Sequence, residues 1–155
     1  MRVSRVRWGR MGIQRLENVG IVVEDLAAVR DFFVDLGLAV EGEASVEGDW
    51  VDRTLGLENV RSDIVMLVTP DGHGRLELQH YRRPPARDSD RDTPPNTHGL
   101  HRVAFGVDDV DAAVRTAIDG GAQLLGDIVR YEDAYRICYL RGPEGIIVML
   151  AERLG

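Results

Sequence analysis

The sequence predicts an α+β domain built from two tandem βαβββ modules, and three observations carry that reading. The chain repeats itself at an offset of 84 residues. Each copy passes from period-two to helical apolar spacing. Both copies close on a strand, a Pro-acidic-Gly turn and a strand.

The repeat aligns VGIVVEDLAAVRDFFVDLGLAVEGE, from Val19, with VAFGVDDVDAAVRTAIDGGAQLLGD, from Val103. Identities fall at Val19/Val103, Val23/Val107, Asp25/Asp109, Ala28/Ala112, Gly37/Gly121 and Gly42/Gly126. In the first strand of each copy, Val19, Ile21 and Val23 oppose Gly20 and Val22, as Val103, Phe105 and Val107 oppose Ala104 and Gly106. Asp25 and Asp109 are then N-cap candidates for amphipathic helices, which Gly37 and Gly121 stop in the left-handed conformation. The modules end in MLVTPDGHGRLEL and YLRGPEGIIVML, which places Glu77 opposite Met149 with one extra residue in the first copy. A sheet this small exposes a face when alone, so the two modules are expected to pair around a shared concavity.

Residues 1–14 are basic at the start and without a clear period, and are expected to form a flexible tail. The first module is assigned to 15–81, an exposed Pro-rich charged linker to 82–97 and the second module to 98–152. The net charge of -7 argues against nucleic acid and anionic membrane as partners and leaves a small molecule. No apolar run approaches a membrane span or a secretory signal, and the single cysteine, Cys138, cannot form an internal disulfide. A cytoplasmic location is expected.

The openings VGIVVEDL and HRVAFGVDDVDAA, the GA after the second helix and the closing GPEGIIVMLAE resemble the vicinal oxygen chelate superfamily of glyoxalases, bleomycin-resistance proteins and extradiol dioxygenases. The resemblance covers about residues 15 to 152. It implies an eight-stranded cupped mixed sheet with helices outside and a ligand cavity inside, and a homodimer, in some members with exchanged modules. It also implies four positions for a divalent metal, in the first and last strand of each module. Here these are Asn18, Glu77, Arg102 and Met149. Only Glu77 keeps ligand chemistry, and a permanently positive guanidinium repels a cation. The metal site is therefore read as degenerate, with no cofactor expected and Arg102 facing Glu77 in place of the ion.

Gly20, Ala104 and Gly106 would leave room above that centre, and Trp50 and Tyr135 are candidates for the cavity walls. Of the histidines, His101 is out of register with Arg102 unless a bulge turns it inward, His73 falls in a turn, His98 follows the linker and His80 is off the parity of Glu77. A site using His101 and Glu77 is the one rescue available to a metal. No nucleophile triad, phosphate loop or zinc-type cysteine pair is present. The reading that follows is a protein that sequesters or recognises an apolar or aromatic metabolite. The alternative is a lyase, isomerase or dioxygenase using an irregular metal site or Glu77 as base. Burial and a facing arginine act on that base in opposite directions, which leaves catalysis open.

Overall fold

The computed structural model describes residues 12–155, so most of the tail expected at 1–14 lies outside the described residues. The first module runs β1 (Val19–Val22), α1 (Leu26–Asp35), β2 (Ala39–Glu47), α2 (Asp49–Leu55), β3 (Arg61–Val68) and β4 (Arg75–Arg83). The second runs β5 (Arg102–Val107), α3 (Val110–Asp119), β6 (Gln123–Leu124), β7 (Val129–Tyr131), β8 (Tyr135–Arg141) and β9 (Ile147–Arg153). No helix among the described residues is long and apolar enough to cross a membrane.

The strands form two mixed sheets, ordered β1-β4-β3-β2 and β5-β9-β8-β6, with β7 also on β8. Nine strands replace the eight expected, because the outer strand of the second module breaks into β6 and β7. The two first strands lie parallel to the two last strands, with Gly20 beside Glu77 and Ala104 beside Met149. Gly20 and Ala104 are repeat mates, so the registers make Glu77 and Met149 structurally equivalent.

Local chemistry explains why the helices begin and end alike. Asp25 and Asp109 cap them by accepting from Ala28 N and Ala112 N, each at 2.9 Å. Gly37 and Gly121 follow with φ of +120° and +94°, a region in which a Cβ is strained. The backbone of Leu38 then donates to Phe33 O and that of Ala122 to Ala117 O.

One core joins the modules. Val29, Phe32 and Phe33 of α1 and Val110, Val114 and Ala117 of α3 share it with Leu67, Leu76 and Leu78 of the first sheet and Cys138, Leu140, Val148 and Leu150 of the second. Phe33 is wholly buried and meets the Phe105 ring edge-on at 6.1 Å. The helix-bearing faces of both sheets are thus consumed by this core. Their other faces stay open, on one sheet of four strands and one of five.

A polar clamp reinforces the junction. The turn between β8 and β9 places Glu144 against the start of α1, where its carboxylate accepts from Glu24 N at 2.7 Å and Asp25 N at 2.9 Å. Arg91, between β4 and β5, bonds Glu24 at 2.7 Å, and Arg141 donates to Arg91 O and Thr93 O. Gly145 is required here, because a Cβ would lie 2.3 Å from Arg91 O.

Two outcomes are expected. Glu144→Ala leaves two helix-terminal N–H groups without their carboxylate and should lower stability by about 1–3 kcal/mol in urea unfolding. Second, Arg75 holds Glu41 below the ordinary carboxylate range, as Arg136 holds Asp111, and Ser45 with Arg82 holds Asp63. A folded-state pKa below the unfolded one stabilises above the unfolded value and is lost as pH falls through the folded one. The urea midpoint should therefore be level from neutrality down to about pH 5, then fall below the reference values of 4.5 for Glu and 3.8 for Asp.

Candidate functional site

Strand alternation divides β4 between two environments. Leu76 and Leu78 enter the core, while Glu77 and Gln79 project from the open face, half-buried. Asn18, one residue before β1, reaches the same place because β1 lies parallel to β4. Its side-chain amide donates to Glu77 Oε2 at 3.1 Å, and the Gln79 amide donates to Glu77 Oε1 at 2.5 Å. A carboxylate has about four lone-pair positions, so Glu77 retains acceptor capacity for a ligand N–H or O–H.

The space beside Glu77 is a cavity of about 160 Å³ walled by Trp50, Val51, Leu55, Ile64 and Tyr81. Its roof is α2. Gly48 and Gly56 turn the chain into and out of this helix with φ of +114° and +68°, and Asp52 returns it to β3 by accepting from Asn59 N and Val60 N. Val51 points inward and is buried, whereas Trp50 sits at the rim, 62% exposed. Among the described residues the second sheet has no equivalent roof, since β7 and β8 are joined by a short turn.

Of the residues singled out in the sequence, Asn18, Glu77 and Trp50 meet in this cup. Arg102, Met149 and Tyr135 lie on the open face of the other sheet. There Met149 stands beside Ala104 and Tyr139, and the Arg102 guanidinium lies over the Tyr139 ring, 5.4 Å from its centroid. Tyr135 is further along β8, opposite Arg153 and Tyr131. The expected Arg102–Glu77 ion pair is not formed: each group has a partner from its own sheet, because the helices hold the open faces apart. Gln79, Tyr81 and Tyr139 were missed in the sequence. Gln79 was within reach of inspection, since it follows Glu77 by two residues and shares its face.

The histidines do not assemble around Glu77. His80 Nδ1 lies 3.2 Å from Val23 O, and His98 is exposed. His101 is half-buried, with Nδ1 lacking a hydrogen-bond partner. Among the described residues no three His, Cys, Asp or Glu side chains come together as a metal-holding group. The residues at the four positions do not fit the divalent metal that the resemblance implies. Asn18 turns its amide N–H toward Glu77, Met149 offers only a thioether and Arg102 is cationic, which leaves the Glu77 carboxylate as the one anionic donor of the four.

A paired βαβββ architecture with last-strand residues facing an open sheet defines the class. The model of the glyoxalase/bleomycin resistance protein/dioxygenase superfamily matches residues 17–139, and the chain belongs to that family. It is similar to a crystal structure of a glyoxalase family protein from Bacillus cereus, with 45% identity over 96% of this chain and 100% of the other and a TM-score of 0.91. It also resembles the uncharacterized protein YaeR of Escherichia coli (strain K12), 27% identical over 151 residues, covering 92% of this chain and 99% of that one. TnmS3, an antibiotic binding protein from Streptomyces sp. CB03234, shares the fold at 18% identity, with 93% of this chain and 99% of the other covered and a TM-score of 0.59.

The donor set makes a direct prediction. Protein incubated with excess Zn²⁺, Ni²⁺ or Mn²⁺ and then desalted should retain far less than one ion per chain by elemental analysis. Stoichiometric retention that is lost in Glu77→Gln would show that the carboxylate ligates after all.

Proposed function

We propose that this protein captures a small apolar or aromatic metabolite without chemical conversion, using the open face of the first sheet. The observation that supports this most directly is the Glu77 carboxylate, oriented by Asn18 and Gln79 at the wall of an otherwise apolar and aromatic cup. Such a site buries hydrocarbon area and fixes orientation through one polar anchor. A fold shared with an antibiotic binding protein is consistent with capture. The substitution of three of the four metal positions removes the means by which relatives polarise a substrate.

In this reading the working form is a cytoplasmic homodimer. The open face of the second sheet carries Val129, Tyr131 and Tyr135, which are 52%, 56% and 39% exposed, beside the cationic Arg102. The corresponding face of the first sheet carries Glu77. A twofold arrangement laying one on the other would cover apolar area, enlarge the 160 Å³ cup toward the size of a drug-sized ligand site and set Arg102 of one copy toward Glu77 of the other. Sedimentation equilibrium should give a dimer that Tyr131→Asp dissociates. A monomer at micromolar concentration would remove the assembly from the proposal.

Trp50 is the only tryptophan besides Trp8 and reports on the cup. Aromatic natural products should change its fluorescence saturably. Glu77→Gln should weaken a hit by about tenfold, the value of one charge-assisted hydrogen bond, without moving the melting temperature appreciably. Absence of any saturable ligand across such a collection, or unchanged affinity in Glu77→Gln, would sink the proposal.

A further inference from the structure

The two modules repeat, but their junction is filled on one side and open on the other. On the filled side, Phe32 of α1 packs against the Gly120 that ends α3 and against the Gly142 that opens the β8–β9 turn. A Cβ added to either glycine would lie 3.5 or 3.1 Å from its ring. Glu144 of that turn then plugs the start of α1. At the 84-residue offset, the mate of Phe32 is Thr116, and the mates of Glu24 and Asp25 are Asp108 and Asp109. The turn corresponding to that of Glu144 is Pro70-Asp71-Gly72. Asp71 is one methylene shorter than Glu144 and is folded back on its own turn, accepting from the Thr69 hydroxyl and His73 N.

A hydroxyl-bearing stub in place of a phenyl ring, with no carboxylate plug, leaves a cleft of about 740 Å³. Phe105 and Leu36 give it an apolar lining, and the small residues Ala112 and Ala113 of α3 leave its side open. This lies within the size range of small-molecule sites. It shares no lining residue with the cup beside Glu77.

The rim of the cleft is of one sign. Among the described residues Asp35, Asp71, Asp108 and Asp109 line it, and no Lys, Arg or His does. On the filled side Arg91 neutralises Glu24, whereas its mate Asp108 has no ion-pair partner among the described residues, and neither has Asp35. An anion entering here would meet uncompensated carboxylates. A cation would gain both their attraction and the apolar lining.

We propose that this cleft is a second binding site, for an amphipathic organic cation, with an alkyl- or arylammonium head at Asp108 and Asp35 and an apolar body over Phe105 and Gly106. The site is independent of ligand capture at Glu77.

The test compares 4-phenylbutylamine with 4-phenylbutyrate and 4-phenylbutanol, three ligands of matched body and different head charge, by amide chemical-shift titration and calorimetry. The amine should bind saturably, shift the Gly106 and Gly37 amides, and exceed the carboxylate in affinity by at least about tenfold. Thr116→Phe copies the filled side, so it should abolish amine binding while preserving or raising the melting temperature. Should Thr116→Phe fail to fold, Asp108→Asn serves instead, weakening the amine by about tenfold and leaving the alcohol unchanged. Amine and carboxylate binding equally, shifts confined to Trp50 and Gln79, or an undiminished amine affinity in Thr116→Phe or Asp108→Asn would each overturn the proposal.

Discussion

The burial of Phe33 governs the arrangement of everything else. Its ring has no solvent exposure and touches Phe32 within α1 and Phe105 from β5 of the other module, at centroid separations of 5.3 and 6.1 Å. An aromatic ring of this size is worth about 3–5 kcal/mol in a core, comparable with a large part of a domain's net stability. The face of each sheet that carries a helix must therefore turn toward the other module. The opposite faces, with Glu77 on one and Arg102 on the other, are left to solvent.

That geometry separates residues that strand register makes equivalent. Glu77 and Met149 sit at matching places beside Gly20 and Ala104, yet each belongs to its own sheet and its own surroundings. The first sheet acquires a roof from α2 and so a cup with an anchored carboxylate. The second sheet, joined by a short turn where the first has α2, is broad and aromatic, with no helical roof among the described residues. Under the proposed function the first face takes the ligand, and the second, which carries Arg102, is the covering surface of complementary charge.

Duplication explains both the strength of the junction and its defect. Two copies of one module share a core through repeat-related helices, with caps at Asp25 and Asp109 and glycine stops at Gly37 and Gly121. Since the copies diverged, Phe32 and Glu144 close one side with apolar packing and a clamp on the start of α1. Thr116 and Asp71 are too small to close the other. Internal packing tolerates such a space when it opens to water, because polar groups at its edge stay hydrated.

The amino-acid sequence by itself determined the repeat, the strand–helix opening and strand–turn–strand close of each module, the caps and stops, and the residue types Asn18, Arg102 and Met149 at three of the four expected metal positions. These follow from local spacing and from the donor chemistry of single side chains, which require no knowledge of distant partners. Tertiary structure alone decided that the sheets stay separate, that Arg102 lies over Tyr139 instead of meeting Glu77, and that Asn18 and Gln79 hold that carboxylate. It also decided that α2 roofs the first sheet, a seven-residue helix too short for periodicity to reveal. The reason is physical: alternation assigns a residue to a face, but which faces are buried against each other depends on how large side chains such as Phe33 pack across the two modules.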